Sequence, residues 1–180
     1  VGRCMAADID PNSKGVEMWS IASQGIRNIK GEVINPATRG VSINMASWWD
    51  GDLSRELLDG TRISKYNSLE GVSELLFDCE ECSRNNGSKS NPTLSADIVG
   101  DWREEILLRT RDNKNLRIYL TPYETPYRFH TFLEDPVYRI SIATQNVAYN
   151  QPTQPGFYFG SDLGKIFEEK EMVVDSDHIT

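Results

Sequence analysis

Asp97-Ile-Val99-Gly100-Asp101-Trp102-Arg103-Glu104-Glu105-Ile-Leu107 decides the fold, because two further versions of it precede it in the chain. The first is Asp8-Ile-Asp10-Pro-Asn12-Ser-Lys-Gly15-Val-Glu17-Met-Trp19, and the second is Trp49-Asp50-Gly51-Asp52-Leu-Ser-Arg-Glu56-Leu-Leu58. Each is a turn rich in Asp, Asn and Gly that ends in a glutamate entering an apolar run. With Asp10, Asp50 and Val99 taken as equivalent, the copies stand 40 and 49 residues apart. A period of about 40–50 residues is that of one four-stranded propeller blade. Complete propellers close about 4–8 blades round an axis. The reading is therefore all-β: three to four propeller blades, forming an open arc or the remainder of a larger ring.

Between the copies, short β-rich runs alternate with turn residues. Glu17–Ser20, Ser42–Ala46, Glu105–Arg109, Leu116–Leu120 and Tyr138–Ala143 read as strands. Asn35-Pro36, Asp59-Gly60, Asn86-Gly87 and Asn113-Lys114 read as turns. The blades are expected over residues 1–160. Residues 161–180, polar and acidic with Glu168-Glu-Lys-Glu171, read as a tail or a closing strand.

The acids of the repeat have two readings. Ca²⁺ takes six to eight oxygen ligands, and alternate acidic positions in a tight loop turn their side chains toward one centre. Asp8, Asp10, Asn12 and Glu17 fit such a site with one insertion. Asp50, Asp52 and Glu56 fit without the first acid. Asp97, Asp101 and Glu105 fit, with the Val99 carbonyl at the intervening position. An EF-hand is excluded for the first loop, since its required Gly and Glu positions hold Ser13 and Trp19. The plainer reading makes these residues Asx-turns whose carboxylates cap backbone amides.

Composition narrows the function classes. The chain carries 27 acids against 19 bases, a net charge of −8, which argues against a nucleic-acid partner. No apolar run is long enough to span a bilayer. The opening Val1-Gly2-Arg3 has no initiator Met and reads as a start within a longer protein. Cys79-Glu-Glu-Cys82 lacks the further ligands of a zinc site, which leaves free thiols or at most one disulfide among the three cysteines. Trp19, Trp48, Trp49 and Trp102 flank the acidic loops, and their placement in the repeat favours blade packing over sugar stacking.

Four stretches carry a family resemblance. They are Gly2–Pro11, Trp48–Gly60, Asn85–Lys89 with Ser95–Glu105, and Asp135–Pro152. Together they resemble polysaccharide lyase family eleven, the rhamnogalacturonan lyases, from Gly2 to about Gly160. The resemblance implies the C-terminal third or so of an eight-bladed propeller that holds several calcium ions and has a cleft across one face. It implies substrate contacts at Asn86, Gly87, Ser88 and Asn146, with Lys89, Tyr149 and Arg3 serving the reaction. The family usually has Thr at Ser88, so the hydroxyl is kept. It often has His where Glu134 stands before Asp135-Pro136, so no imidazole is expected there.

The implied chemistry agrees with these residue types. β-Elimination removes the C5 proton of a galacturonate, next to its carboxylate, and needs a base and a neutralising cation. Lys or Tyr can supply the base, and Arg or Ca²⁺ the cation. A binding module stabilised by calcium is the competing class, but it has no use for the Asn86–Lys89 and Asn146–Asn150 runs. The substrate implied is rhamnogalacturonan I, and a polymer of that size implies a secreted or periplasmic enzyme. With the upstream blades missing, the piece is expected to be inactive alone.

Overall fold

The computed structural model of the protein describes residues 3–36, 40–147 and 152–163. Within them, three four-stranded antiparallel sheets follow one another along the chain. The first holds β1 (Cys4–Ala7), β2 (Glu17–Ser20), β3 (Ile26–Arg27) and β4 (Val33–Asn35) in sequence order. The second holds β5 (Met45–Ser47), β6 (Glu56–Asp59), β7 (Arg62–Asn67) and β8 (Val72–Asp78) in the same order. The third starts with β9 (Cys82–Ser83) and continues with β10 (Leu94–Ala96), β11 (Glu105–Thr110) and β12 (Leu116–Tyr119). Both β10 and β9 pair with β11, at opposite ends of it.

The three repeat copies thus become the first turn of each sheet. Cross-strand register pairs Ala7 with Glu17, Ser47 with Glu56 and Ala96 with Glu105, so each glutamate opens the second strand. Of the expected turns, Asp59-Gly60, Asn86-Gly87 and Asn113-Lys114 are present, whereas Asn35 ends β4 and residues 37–39 lie outside the described ones. Gly60 lies in the two-residue hairpin between Asp59 and Arg62 with φ +68°, a left-handed conformation that glycine adopts without strain. Asn86 and Asn113 take the same region, at φ 61° and 59°.

The second sheet is buried on both faces. Ala46 and Leu57 pack toward Met5, Trp19 and Ile26 of the first sheet. Met45, Leu58 and Ile63 pack toward Ile106 and Leu108 of the third. This explains why Met45–Ser47 and Glu56–Leu58 lack the alternation of a half-exposed strand. Burial of one such leucine contributes about 1.5–3 kcal/mol. A third cluster, of Trp48, Leu53, Trp102, Phe132, Tyr138 and Phe159, covers the acidic loops. All four tryptophans are buried, as the packing reading expects. Cys79 and Cys82 form a disulfide, while Cys4 is a free, exposed thiol.

Two expected elements differ. The strand expected over Ser42–Ala46 is displaced to Met45–Ser47. The one expected over Tyr138–Ala143 is a helix, α1 (Pro136–Thr144). The alternating Ile-Ser-Ile suggested a strand, but local signals outweigh it. Asp135 caps the helix by accepting from the Val137 amide, and Pro136 fills the first turn. Tyr138, Ile142 and Gln145 then fall on one face at helical spacing. That face docks: Tyr138 is buried, and Gln145 exchanges two hydrogen bonds with the Ser95 backbone, at 2.9 and 3.1 Å.

Candidate functional site

The first-turn loops share one backbone plan. Glu17 Oε2 accepts from the amides of Ile9 (2.9 Å) and Asp10 (3.1 Å). Glu56 Oε2 accepts from Trp49 (2.8 Å) and Asp50 (3.1 Å). Glu105 Oε2 accepts from Ile98 (2.7 Å) and Val99 (3.0 Å). The equivalence of Asp10, Asp50 and Val99 is therefore structural. Each glutamate closes its own turn, which accounts for its recurrence.

Successive loops are also tied to one another. The Arg55 amide donates to the Asp8 carbonyl (2.6 Å), and the Glu104 amide donates to the Trp48 carbonyl (2.7 Å). A buried polar hub lies beside them. The Arg55 guanidinium sits 4.1 Å above the Trp48 ring and 3.6 Å from Glu104. Glu104 also accepts from the hydroxyls of Tyr138 and Thr153. Burial pulls the Arg55 pKa down, and the Glu104 charge opposes that pull.

What the remaining carboxylate oxygens meet differs from loop to loop. In the first, Asp8 faces the Tyr158 hydroxyl and the Ser161 amide, and Asp10 accepts from the Asn12 amide. Glu17 Oε1 is buried without a well-formed hydrogen bond, with the Ser13 hydroxyl beside it. Burial pushes the Glu17 carboxyl up to about 7 and Asp8 up to about 6. In the second loop, Asp50, Asp52 and Glu56 converge, each offering an oxygen within 4.8 Å of the others. Burial pushes Glu56 up to about 8, although the Lys65 ammonium pulls the other way. In the third, Asp97 accepts four hydrogen bonds, from the amides of Gly100, Asp101 and Phe132 and the Thr131 hydroxyl. Asp101 is paired with Arg103 at 2.5 Å. Of the three loops, the first leaves a buried carboxylate oxygen with only the Ser13 hydroxyl beside it, short of the full partnering such groups normally have, and its oxygen donors fit a cation.

The expected substrate residues lie at the other end of the strands. Arg3 stands just before β1, Asn44 just before β5 and Thr93 just before β10. Arg3 Nη1 donates to the Ser88 carbonyl (3.1 Å) and to the Asn44 side-chain oxygen. Asn44 in turn donates to Asp59. The loop of Asn86, Gly87, Ser88 and Lys89 is a single 3-10 turn, joined to the β6–β7 hairpin by the Gly60 amide on the Ser90 carbonyl (2.9 Å). Asn86, Gly87 and Ser88 are exposed, and Lys89 is partly so. Asn146 is exposed and donates to the Thr93 carbonyl (3.2 Å). An open cavity of about 250 Å³ lies beside Arg3, lined also by Ser20, Ser42, Asn44 and Asp59.

The structure therefore brings Arg3 and Ser88 together and places Asn146 beside the strand that follows the same loop. Tyr149 lies outside the described residues, as do 164–180 of the expected tail. Asn44 and Asp59 join the group without having been expected. Their signal is weak, because nothing local shows that an asparagine before one strand meets an arginine before another.

The chain matches the family model described as "Rhamnogalacturonan lyase family 11, C-terminal domain" over residues 1–169. It is 47% identical over 165 residues to rhamnogalacturonan endolyase YesW of Bacillus subtilis (strain 168), covering 92% of this chain and 26% of that protein. It is 46% identical over 180 residues to rhamnogalacturonan exolyase YesX of the same organism, covering 92% of this chain and 29% of that protein. The crystal structure of YesW superposes with a TM-score of 0.84 at 48% identity, covering 89% of this chain and 27% of that one. A Bacillus licheniformis rhamnogalacturonan lyase superposes with a TM-score of 0.83 at 48% identity, with the same coverage. The chain thus spans less than a third of the length of these relatives.

Proposed function

The chain belongs to rhamnogalacturonan lyase family 11, and on that premise we propose that it supplies the C-terminal part of an enzyme cutting rhamnogalacturonan I between rhamnose and galacturonate. The observation that carries this reading is the meeting of Arg3 with the exposed Asn86–Lys89 turn at one end of the strands. A guanidinium there is suited to the galacturonate carboxylate, since Arg recognises carboxylates by paired hydrogen bonds. With that charge neutralised, a base takes the C5 proton. The electron pair forms the C4–C5 double bond, the C4–oxygen bond breaks, and the departing rhamnose oxygen takes up a proton. Lys89 and Tyr149 are the bases, and Asn86, Gly87, Ser88 and Asn146 hold the sugars.

The three sheets are read as consecutive propeller blades. Ala6 and Met18 hold the positions in the first sheet that Ala46 and Leu57 hold in the second. Ala46 and Leu57 are buried against the preceding sheet, whereas Ala6 and Met18 are exposed. An upstream blade would cover them. Calcium is the proposed cofactor of the loop end, where it would pin a turn between Asp10 and Glu17, and no step of the reaction runs through it. Because the chain covers less than a third of its relatives, the piece is expected to be inactive alone. The polymeric substrate favours a secreted or periplasmic setting.

The test is the rise in ultraviolet absorbance of unsaturated uronates on rhamnogalacturonan I. Homogalacturonan serves as control, and the chain is assayed both alone and joined to the upstream blades. The joined form is expected to release product from rhamnogalacturonan I only, and the piece none. A joined form that binds the polymer without releasing product would replace the lyase by a binding module.

A further inference from the structure

We infer that the Lys65 ammonium takes the place of a metal ion in the second of the three acidic loops. This rests on the reading of the loops as cation sites and is independent of the lyase chemistry. With Asp97 and Asp101 of the third loop partnered within the chain as well, the chain would then bind one calcium ion, where the repeat alone offers three places.

The second loop carries the argument. Lys65 Nζ contacts Asp50, lies 2.7 Å from Asp52 and lies 3.0 Å from Glu56. It thus sits among the three carboxylates that would otherwise hold a metal. The register explains how it arrives there. Leu57 pairs with Ser64, so Glu56 faces Lys65 across the sheet. An ammonium has three donors, and here each meets a different carboxylate. A divalent ion would have to displace an ammonium that touches all three carboxylates.

The other sheets carry no lysine at that position. In the third it is the exposed Leu120, read from the pairing of Ile106 with Tyr119. There the cation is Arg103, on Asp101 at 2.5 Å and on the Tyr123 carbonyl at 2.6 Å. Asp97 is already saturated by its four donors. In the first sheet the position is Asn28, read from the pairing of Met18 with Arg27. Its side-chain oxygen accepts from the amides of Lys30 and Glu32, within its own turn. Lys14, within the first loop, is exposed and makes no ion pair among the described residues. The first loop also holds the buried Glu17 Oε1 that lacks a well-formed hydrogen bond. Glu17 Oε2 is bonded to the Ile9 and Asp10 amides, which fixes this carboxylate inside the loop.

The test is calcium stoichiometry by native mass spectrometry, with calorimetric titration as a second count. It is run on the chain and, as differences between variants, on the full-length protein. The wild-type chain is expected to bind one ion, Glu17→Gln none and Lys65→Met two. Two or three ions on the wild type would overturn the inference while leaving the loops as metal sites. No ion on the wild type would overturn the calcium reading itself. The wild-type and Glu17→Gln counts decide the first loop even if Lys65→Met does not fold. For the second loop, Lys65→Gln is the fallback variant, and failure of a folded variant to gain an ion would overturn the exchange of lysine for metal.

Discussion

The two ends of the sheets are built from similar residues and used differently. At the loop end, most acids are buried, and those that are partly exposed, such as Asp52 and Asp101, are paired with a cation of the chain. At the strand-start end, Arg3, Asn86, Ser88 and Lys89 keep at least part of their surface open to solvent. The first end ties successive sheets to one another, and the second leaves polar groups exposed. Acid content alone does not separate the two roles. What separates them is whether a carboxylate or cation already has an internal partner.

The largest expected effect sharpens that division. In the full-length enzyme, Lys89→Met should lower the rate of unsaturated uronate formation by about 10²–10⁴-fold, the usual contribution of a general acid or base. Its thermal unfolding should match the wild type. A variant with unchanged rate would remove Lys89 from the chemistry.

Glu104→Ala should do the reverse at the loop end. It leaves Arg55 buried without its carboxylate, and breaking a buried pair costs about 3–5 kcal/mol. Denaturant unfolding of the chain measures this. A loss under about 1 kcal/mol would show that the Thr153 and Ala46 carbonyls, which also accept from Arg55, satisfy the guanidinium by themselves.

Asn44→Ala tests where the comparison could break, because Asn44 is buried yet stands at the open end. The loss of a buried hydrogen-bonded partner costs about 1–3 kcal/mol. It should also free Arg3 and weaken substrate binding, read as a raised KM in the full-length enzyme. Stability loss with an unchanged KM would make Asn44 purely structural.

The smallest effect is a pH dependence at α1. The Gly156 amide, and then that of Val137, hold the partly exposed Asp135 carboxyl below its ordinary value of 3.8. A depressed carboxyl stabilises the fold above its unfolded pKa and loses that contribution as pH falls through the lower folded one. Protection of the Val137 amide from hydrogen exchange should therefore persist at neutral pH and decline below about pH 4. Asp135→Asn should flatten that dependence.

Much of this was legible in the chain. The turn-glutamate-strand unit recurs because each glutamate serves amides six to eight residues before it, and a local bond leaves a local pattern. Strands β2, β11 and β12 and the asparagine turns were readable for the same reason. The helix at Pro136 was misread because Ile140-Ser-Ile142 alternates as a strand does, while Asp135 and Pro136 act only through their position at its start.

The sequence by itself determined the all-β repeat, the acidic loops, the buried tryptophans and the family, since all depend on residue type at short spacing. Only the tertiary structure decided which acids already have partners. Lys65 reaches Asp50, Asp52 and Glu56 through strand register, and Arg3 reaches Ser88 across 85 residues. Charge compensation acts through distance in space, and no spacing along the chain encodes where a neighbouring strand will bring its lysine.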